Sequence, residues 1–232
     1  MNKEIKNIDG ILYQVIDTKL YYKGTLYIIN QSIDKLPDNL VVDGDLIIHN
    51  CCFLKRIPHK LNVNGSLYIN ECNIKSLPCS LKVKNNITLI GCRQFTTLPN
   101  NLNINGHLTI VNSPILSIPD NIHVGQSITL RSTSIQKLPN NLTVKRELTL
   151  SHCYDLTVLP ENLKVEYNLI LDSCINLNTI SKNTIVGSYM TLKDCFKLTE
   201  LPEDLKVGNF IFLKTSYLNN IPNHLKEKVM VS

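Results

Sequence analysis

Eight cysteines and six histidines have the widest chemical reach in this 232-residue sequence, and their spacing limits what they can do. Cys51, Cys72, Cys92, Cys153, Cys174 and Cys195 recur at intervals of 20 or 21 residues or sums of these. A zinc site needs four ligands converging at about 2.3 Å, whereas one thiol per interval builds a row, so no metal is expected. The Cβ vectors of such a row run parallel instead of facing, and Cys153, Cys174 and Cys195 are expected to stay reduced, which fits a cytoplasmic protein. Buried, they pack as small hydrophobes with weak S–H donors. Cys52 and Cys79 stand off the row with no recurring His or acid beside them, which argues against a nucleophile. His49, His59, His107, His123, His152 and His224 fall at different phases of the interval. With no Ser-His-Asp order, P-loop or GxGxxG either, the expectation is a non-enzyme without cofactors.

The interval itself is an internal repeat. Aligning on Pro37, Pro58, Pro78, Pro99, Pro119, Pro139, Pro160, Ser181, Pro202 and Pro222, and starting from Asp17, gives ten copies of 20 or 21 residues ending at Ile221. Residues 58 to 77, PHKLNVNGSLYINECNIKSL, carry the whole pattern, P-x-x-L-x-V-x-G-x-L-x-L-x-x-C-x-x-L-x-x-L with one position of variable length. Leu61 and Val63 alternate with polar residues, and so do Leu67 and Ile69, which predicts two short strands per copy facing one core. Gly24, Gly44, Gly65 and Gly106 bend the chain between the strands; Asn85, Gln126, Arg146 and Tyr167 in the same slot show that the bend does not always need φ > 0. The Leu-Pro pair excludes helix on the closing side. Asn39, Asn101, Asn121, Asn141, Asn162 and Asn183, just before the first leucine, are expected corners. The five 21-residue copies all have Cys in the variable turn, whereas the short ones have Gln31, Cys72, Ser113, Thr133 and Ser216. A small inward thiol thus suits the wider turn, and a polar side chain bonded to backbone suits the tighter one.

The predicted fold is an all-β or β-rich solenoid, a right-handed coil of ten repeats with parallel sheets over residues 17–221, roughly 45–50 Å long at a strand spacing of about 4.8 Å. No coil can fold alone, so caps are expected at 1–16, where Ile8, Gly10 and Leu12 reproduce half the motif, and at 222–232, where Leu225 begins a partial copy shielded by Lys226, Glu227 and Lys228. The 43% hydrophobic content is ample for a core, and a net charge of +5 is mild for this length. A dedicated nucleic-acid binder is not indicated. Neither a secretion signal nor an apolar run of membrane-spanning length is visible.

The run LTLSHCYDLTVLP, Leu148 to Pro160, resembles the conserved segment of the leucine-rich repeat, and the Leu-Pro pair with a 20-residue period looks most like the short bacterial repeats of secreted effectors from enteric pathogens. The resemblance covers residues 17 to 222. It departs in the first strand, where L-x-V-x-G replaces L-x-x-L and points to a two-sheet, β-helix-like variant. It implies scaffold-like recognition along a face of stacked strands, although fold alone names no target. Such effectors often append a ubiquitin-ligase domain, which is not expected where the sequence stops with its repeats.

Outward positions of the second strand are the candidate binding face. One column reads Tyr27, Ile47, Tyr68, Thr88, Thr109, Thr129, Thr149, Ile170, Thr191, Phe212, and the column before it ends in Tyr189 and Phe210. Such ladders are what any sheet prefers. Their apolar members nevertheless gather at two places, Tyr27, Ile29, Ile47 and Tyr68 near the first coils and Tyr189, Phe210 and Phe212 near the last, with Ile170 beside them. A protein-binding module is the leading expectation, as an inhibitor or adaptor in the cytoplasm, of bacterial or phage-like origin or acting in a host cell. The alternatives are a nucleic-acid-associated solenoid using Lys82, Lys84, Lys145, Arg146, Lys164 and Lys206, and a self-assembling homo-oligomer. Asp45, Arg131, Glu147, Asp172 and Lys193 break the regularity that an ice-binding threonine array requires.

Overall fold

The computed structural model describes residues 4–8, 10–214 and 218–231; Ser216 and the outermost cap residues, 1–3 and 232, lie outside this range. Each copy forms one coil, and the two alternating segments of the repeat become two strands. In the third coil Leu61, Val63, Leu67, Ile69, Cys72, Ile74 and Leu77 all point inward, none more than 4% exposed. Their equivalents in neighbouring coils stack into a single continuous core. Fully burying each aliphatic side chain contributes about 1.5–3 kcal/mol, but only when a coil above and below closes over it.

The second strands make an eleven-stranded parallel sheet, hereafter sheet 2. The first strands, mostly two residues long, form sheet 1, which is divided into groups of six, two and four strands. The L-x-V-x-G segment therefore does create a second sheet. Along the third side only single bridges join the coils, such as Ser76 to Thr97 and Val158 to Thr179, because the proline of each coil brings no amide to a ladder.

Both ends depart from the repeat. β1 (Glu4–Ile8), β2 (Ile11–Ile16) and β3 (Lys19–Tyr22) form an antiparallel meander. It leads into β4 (Leu26–Ile29), β5 (Leu40–Val42) and β6 (Leu46–His49), with β3 parallel to β5 and β4 parallel to β6. The alternation places Tyr13 in the core while Leu12 stays exposed. At the other end a 3-10 turn, Asn223–Lys228, stands where another first strand would lie, and Val229–Val231 adds the last strand of sheet 2. Normal spacing from Leu225 would bring Val231 onto the first leucine column; the compact turn brings Val229 there instead, opposite Ile211. No helix among the described residues is long and apolar enough to cross a membrane.

Left-handed residues recur at two corners of the coil. Asn39, Asn101, Asn141, Asn162 and Asn183 adopt φ near +60° before the first strand, as expected, with Lys60 sharing the conformation and Asn121 departing from it. Nine of the second strands also end in such a residue: Asn30, Asn50, Glu71, Gly91, Asn112, Ser132, His152, Ser173 and Asp194. In the glycine slot only Gly24 needs its freedom, at φ +89°, while a Cβ on Gly44 would stand 2.7 Å from the Gly24 carbonyl carbon. Close approach recurs at Gly106, where a Cβ would stand 2.9 Å from the Asn85 carbonyl oxygen, while Asn85, Gln126, Arg146 and Tyr167 carry side chains in the same slot.

Candidate interaction surface

The thiol row lines the inner side of the turn that follows sheet 2. In all five long coils the Cys carbonyl accepts a turn hydrogen bond from the third residue on: Leu54 to Cys51 at 3.1 Å, Phe95 to Cys92 at 2.9 Å, Leu156 to Cys153 at 3.3 Å, Leu177 to Cys174 at 3.0 Å and Leu198 to Cys195 at 3.2 Å. The inserted residue makes room for that full turn and turns the thiol back towards the preceding coil. Cys51, Cys92, Cys153, Cys174 and Cys195 donate to the carbonyls of Ile28, Ile69, Leu130, Leu150 and Leu171 respectively. Cys72, the thiol of a short coil, donates within its own coil to Asn70. In the short coils Ser113 bonds the Val111 carbonyl at 3.0 Å, and Thr133 lies 3.3 Å from the Cys153 sulfur. Four of the long-coil thiols also approach a carbonyl of their own coil, that of His49, Ile90, Ser151 or Lys193, so the long turn is set apart by the added reach to the preceding coil. Burial pushes the Cys72 and Cys195 thiols up to about 12 and raises Cys92 as well. Cys174 is raised first by its hydrogen bond with Cys153 and then by burial. These are inert groups. Among the described residues no three His, Cys, Asp or Glu side chains are placed to hold a metal ion.

The solvent face of sheet 2 carries the columns in register. Tyr27 pairs with Ile47 and Ile47 with Tyr68; Thr88, Thr109, Thr129 and Thr149 follow, then Ile170, Thr191 and Phe212. Ile29 lies on the same face two residues beyond Tyr27, so the first group is contiguous. Tyr27 and Ile29 are 60% and 41% exposed, while Ile47 and Tyr68 are half-buried. Six strand steps, about 29 Å, separate Tyr68 from Thr191. Beyond that gap the Tyr189 and Phe212 rings meet edge to face with centroids 5.8 Å apart, and Phe210 and Phe212 are 6.1 Å apart. Ile170 is half-buried, one strand away from that cluster on the Thr191 side. Met230, in register with Phe212 and exposed, extends the cluster by one coil. The phase shift made by the terminal 3-10 turn hides Met230 from a reading of the repeat.

The column before the threonines is a capping ladder. Each polar side chain accepts the backbone N–H of the equivalent residue one coil on: Asp45 from Ser66 at 2.7 Å, Ser66 from Asn86 at 3.3 Å, Asn86 from His107 at 2.8 Å, His107 from Ser127 at 3.4 Å and Ser127 from Glu147 at 3.3 Å. Glu147 then holds the Thr149 hydroxyl and the Asn168 amide, and the Asn168 Oδ1 is buried without a partner. The next two members are Tyr189 and Phe210, whose rings place no acceptor there. The N–H ladder ends at Ser127, and Glu147 and Asn168 stand between it and the aromatic cluster.

On sheet 1 the basic residues are exposed but do not converge. Asn62 lies opposite Lys82, Ile185 separates Lys164 from Lys206, and Lys164 is paired with Glu166 at 3.6 Å.

No family model matches the sequence, and no curated protein matches it. A solved structure similar in fold is the leucine-rich repeat domain of the type III effector XopL, at a TM-score of 0.60 and 19% identity over 88% of this chain and 77% of that one. The likeness at this identity is one of fold: the chain is a parallel β-solenoid with a leucine-rich-repeat-like fold.

Proposed function

We propose that this solenoid is a non-catalytic protein-binding module whose partner lies against sheet 2, anchored by Tyr189, Phe210 and Phe212. Tyr27, Ile29, Ile47 and Tyr68 are a second contact near the first coils, and Ile170 flanks the anchor. One observation carries the reading: aromatic rings occupy the positions that five preceding coils use to satisfy backbone N–H groups. Folding alone favours a short polar side chain there, because an unsatisfied amide costs about 1–3 kcal/mol when buried. Rings at such positions gain their advantage from a partner, and clustered aromatics are the usual anchors of protein interfaces.

An inhibitor or adaptor is the form of action that suits a rigid face without catalytic groups. Buried, unbridged thiols and the similarity in fold to an effector domain support a reducing cytoplasm, that of a host cell included, as the working compartment. The test is capture of partners from native cytoplasm by crosslinking, with wild type and with a Tyr189→Asp, Phe212→Asp double variant. Specific capture that the double variant loses, at unchanged circular dichroism and thermal midpoint, is the expected result; capture unchanged in the variant removes this surface from the function.

A further inference from the structure

The two sheets end differently: sheet 1 is covered or extended at both ends, whereas sheet 2 has β4 and Val229–Val231 as its outermost strands. At the C-terminal end of sheet 1 the last carbonyls are occupied by side chains of the 3-10 turn: the His224 ring stands 3.0 Å from the Leu205 oxygen, and the Lys228 ammonium donates to the carbonyls of Val207 and Gly208. At the N-terminal end sheet 1 is extended by β2 and β1. That hairpin does not continue sheet 2, so among the described residues β4 is the outermost strand of sheet 2 at this end. Leu26 donates to Asp45 at 2.8 Å and Asn30 to His49 at 3.0 Å, which fixes the phase of the ladder with β6. In a parallel pair the N–H and C=O groups of Tyr27 and Ile29 consequently point away from β6. Gln31 covers one of them, its amide donating to the Ile29 carbonyl at 3.3 Å. The strand Leu-Tyr-Ile-Ile contains none of the prolines or lysines that commonly guard an edge.

Beside this edge the hairpin overhangs the first coil. Ile8, Ile11 and Tyr13 from the hairpin face Ile28, Ile33 and Leu36 across a cleft of about 220 Å³. The cleft has room for one large apolar side chain, and it adjoins a more open cleft of about 470 Å³ that shares Ile11, Tyr13 and Tyr27. Lys35 lines this cleft and Lys23 the adjoining one, and neither has an ion-pair partner among the described residues.

We infer that the N-terminal mouth is a strand-addition site: an extended segment of another protein pairs with the open edge of β4, inserts an apolar side chain between hairpin and first coil, and meets Lys23 and Lys35 with acidic flanks. A second copy of this chain does not fit in register. Seating its terminal strand Val229–Val231 on β4 would carry its 3-10 turn onto the place that β2 already fills, because that turn and that strand belong to the same partial coil. The occupant is therefore a foreign strand, apolar at alternate residues and acidic at its ends. Backbone hydrogen bonds would give affinity and the cleft side-chain preference.

The full chain, titrated with the synthetic peptide acetyl-Glu-Leu-Thr-Ile-Thr-Glu-amide and followed by amide resonances, tests this. Binding should shift the Tyr27 and Ile29 amides first, weaken at least about tenfold when the peptide backbone is N-methylated at alternate residues, and weaken further with added salt or with Lys23→Glu and Lys35→Glu. Tyr27→Pro removes only an N–H that faces the open edge, so it should abolish binding while the circular dichroism is kept; Tyr27→Ala, which keeps that N–H, should retain most of it. The inference is overturned by no binding, by indifference to N-methylation, by Tyr27→Ala and Tyr27→Pro costing the same, or by concentration-dependent self-association that Tyr27→Pro removes. The Tyr27 ring also belongs to the second contact proposed on sheet 2, which Tyr27→Ala tests by itself; the anchor of that face is probed by Tyr189 and Phe212 at the other end, so strand addition and the anchor can fail separately.

Discussion

At the scale of single residues, the thiol row is best understood as backbone chemistry performed from inside the core. Each long-coil thiol is buried and donates to a carbonyl of the coil before it; burial raises Cys92 and Cys195, whereas the hydrogen bond with Cys174 lowers Cys153. Native protein at pH 8 should therefore expose two thiols to a water-soluble disulfide reagent, Cys52 and Cys79, and eight after denaturation; colorimetric titration counts them. The same burial makes stability depend on pH in one direction. Cys72 and Cys195 are raised from 9.0 to about 12 in the folded chain. Below pH 9 folded and unfolded chains both hold these protons, so the full stability is present; between 9 and 12 the unfolded chain releases them first, and stability falls as pH rises. Urea midpoints across that window should decline, and Cys72→Ala should remove about one proton from the slope while costing about 1 kcal/mol at neutral pH. The inward phase of these cysteines was readable from their period. Which carbonyl each reaches was not, because that follows from whether the turn closes on its third residue.

Among elements, the corners decide how faithfully the coils stack. Asparagine before the first strand announced one left-handed corner in the sequence. The other, after the second strand, was disguised by Glu71, Ser132 and Ser173, which have no preference for that region. A left-handed L-residue costs roughly 1–2 kcal/mol, less than the hydrogen bonds that two adjacent coils impose on it, so the stack overrides the residue. This strain can be relieved. Glu71→Asn, at φ +52°, should raise the unfolding free energy by about 0.5–1 kcal/mol, measured by chemical denaturation, without altering the coil. The large side chain that fills the fourth coil's wide turn gives the opposite case. Phe95 is fully buried behind the turn closed by Cys92, and Phe95→Ala should cost about 3–5 kcal/mol, since the stack can shrink around the void only by breaking register.

Over the whole molecule, period and alternation made the stack and its outward columns legible: ten coils, two strands each, and the aromatic groups at Tyr27 to Tyr68 and Tyr189 to Phe212 follow from counting. The ends were legible only in part, since a cap is defined by edges that exist after the coils have assembled. Nothing in Asn223 to Lys228 announces that His224 and Lys228 will occupy the carbonyls of Leu205, Val207 and Gly208. In a solenoid each coil is held by its neighbours, so the terminal coil, with one neighbour, depends on those contacts more than any interior coil does. Lys228→Ala should therefore speed hydrogen exchange of the amides at 205–214 several-fold while coils near Thr88 to Thr129 keep their protection. The amide groups concerned belong to the strands that carry Phe210 and Phe212. A change confined to the last coils would mean that the cap holds the proposed anchor rigid in advance of binding; equal loss along the chain would mean that the ten coils open as one unit and that the cap stabilises the whole stack.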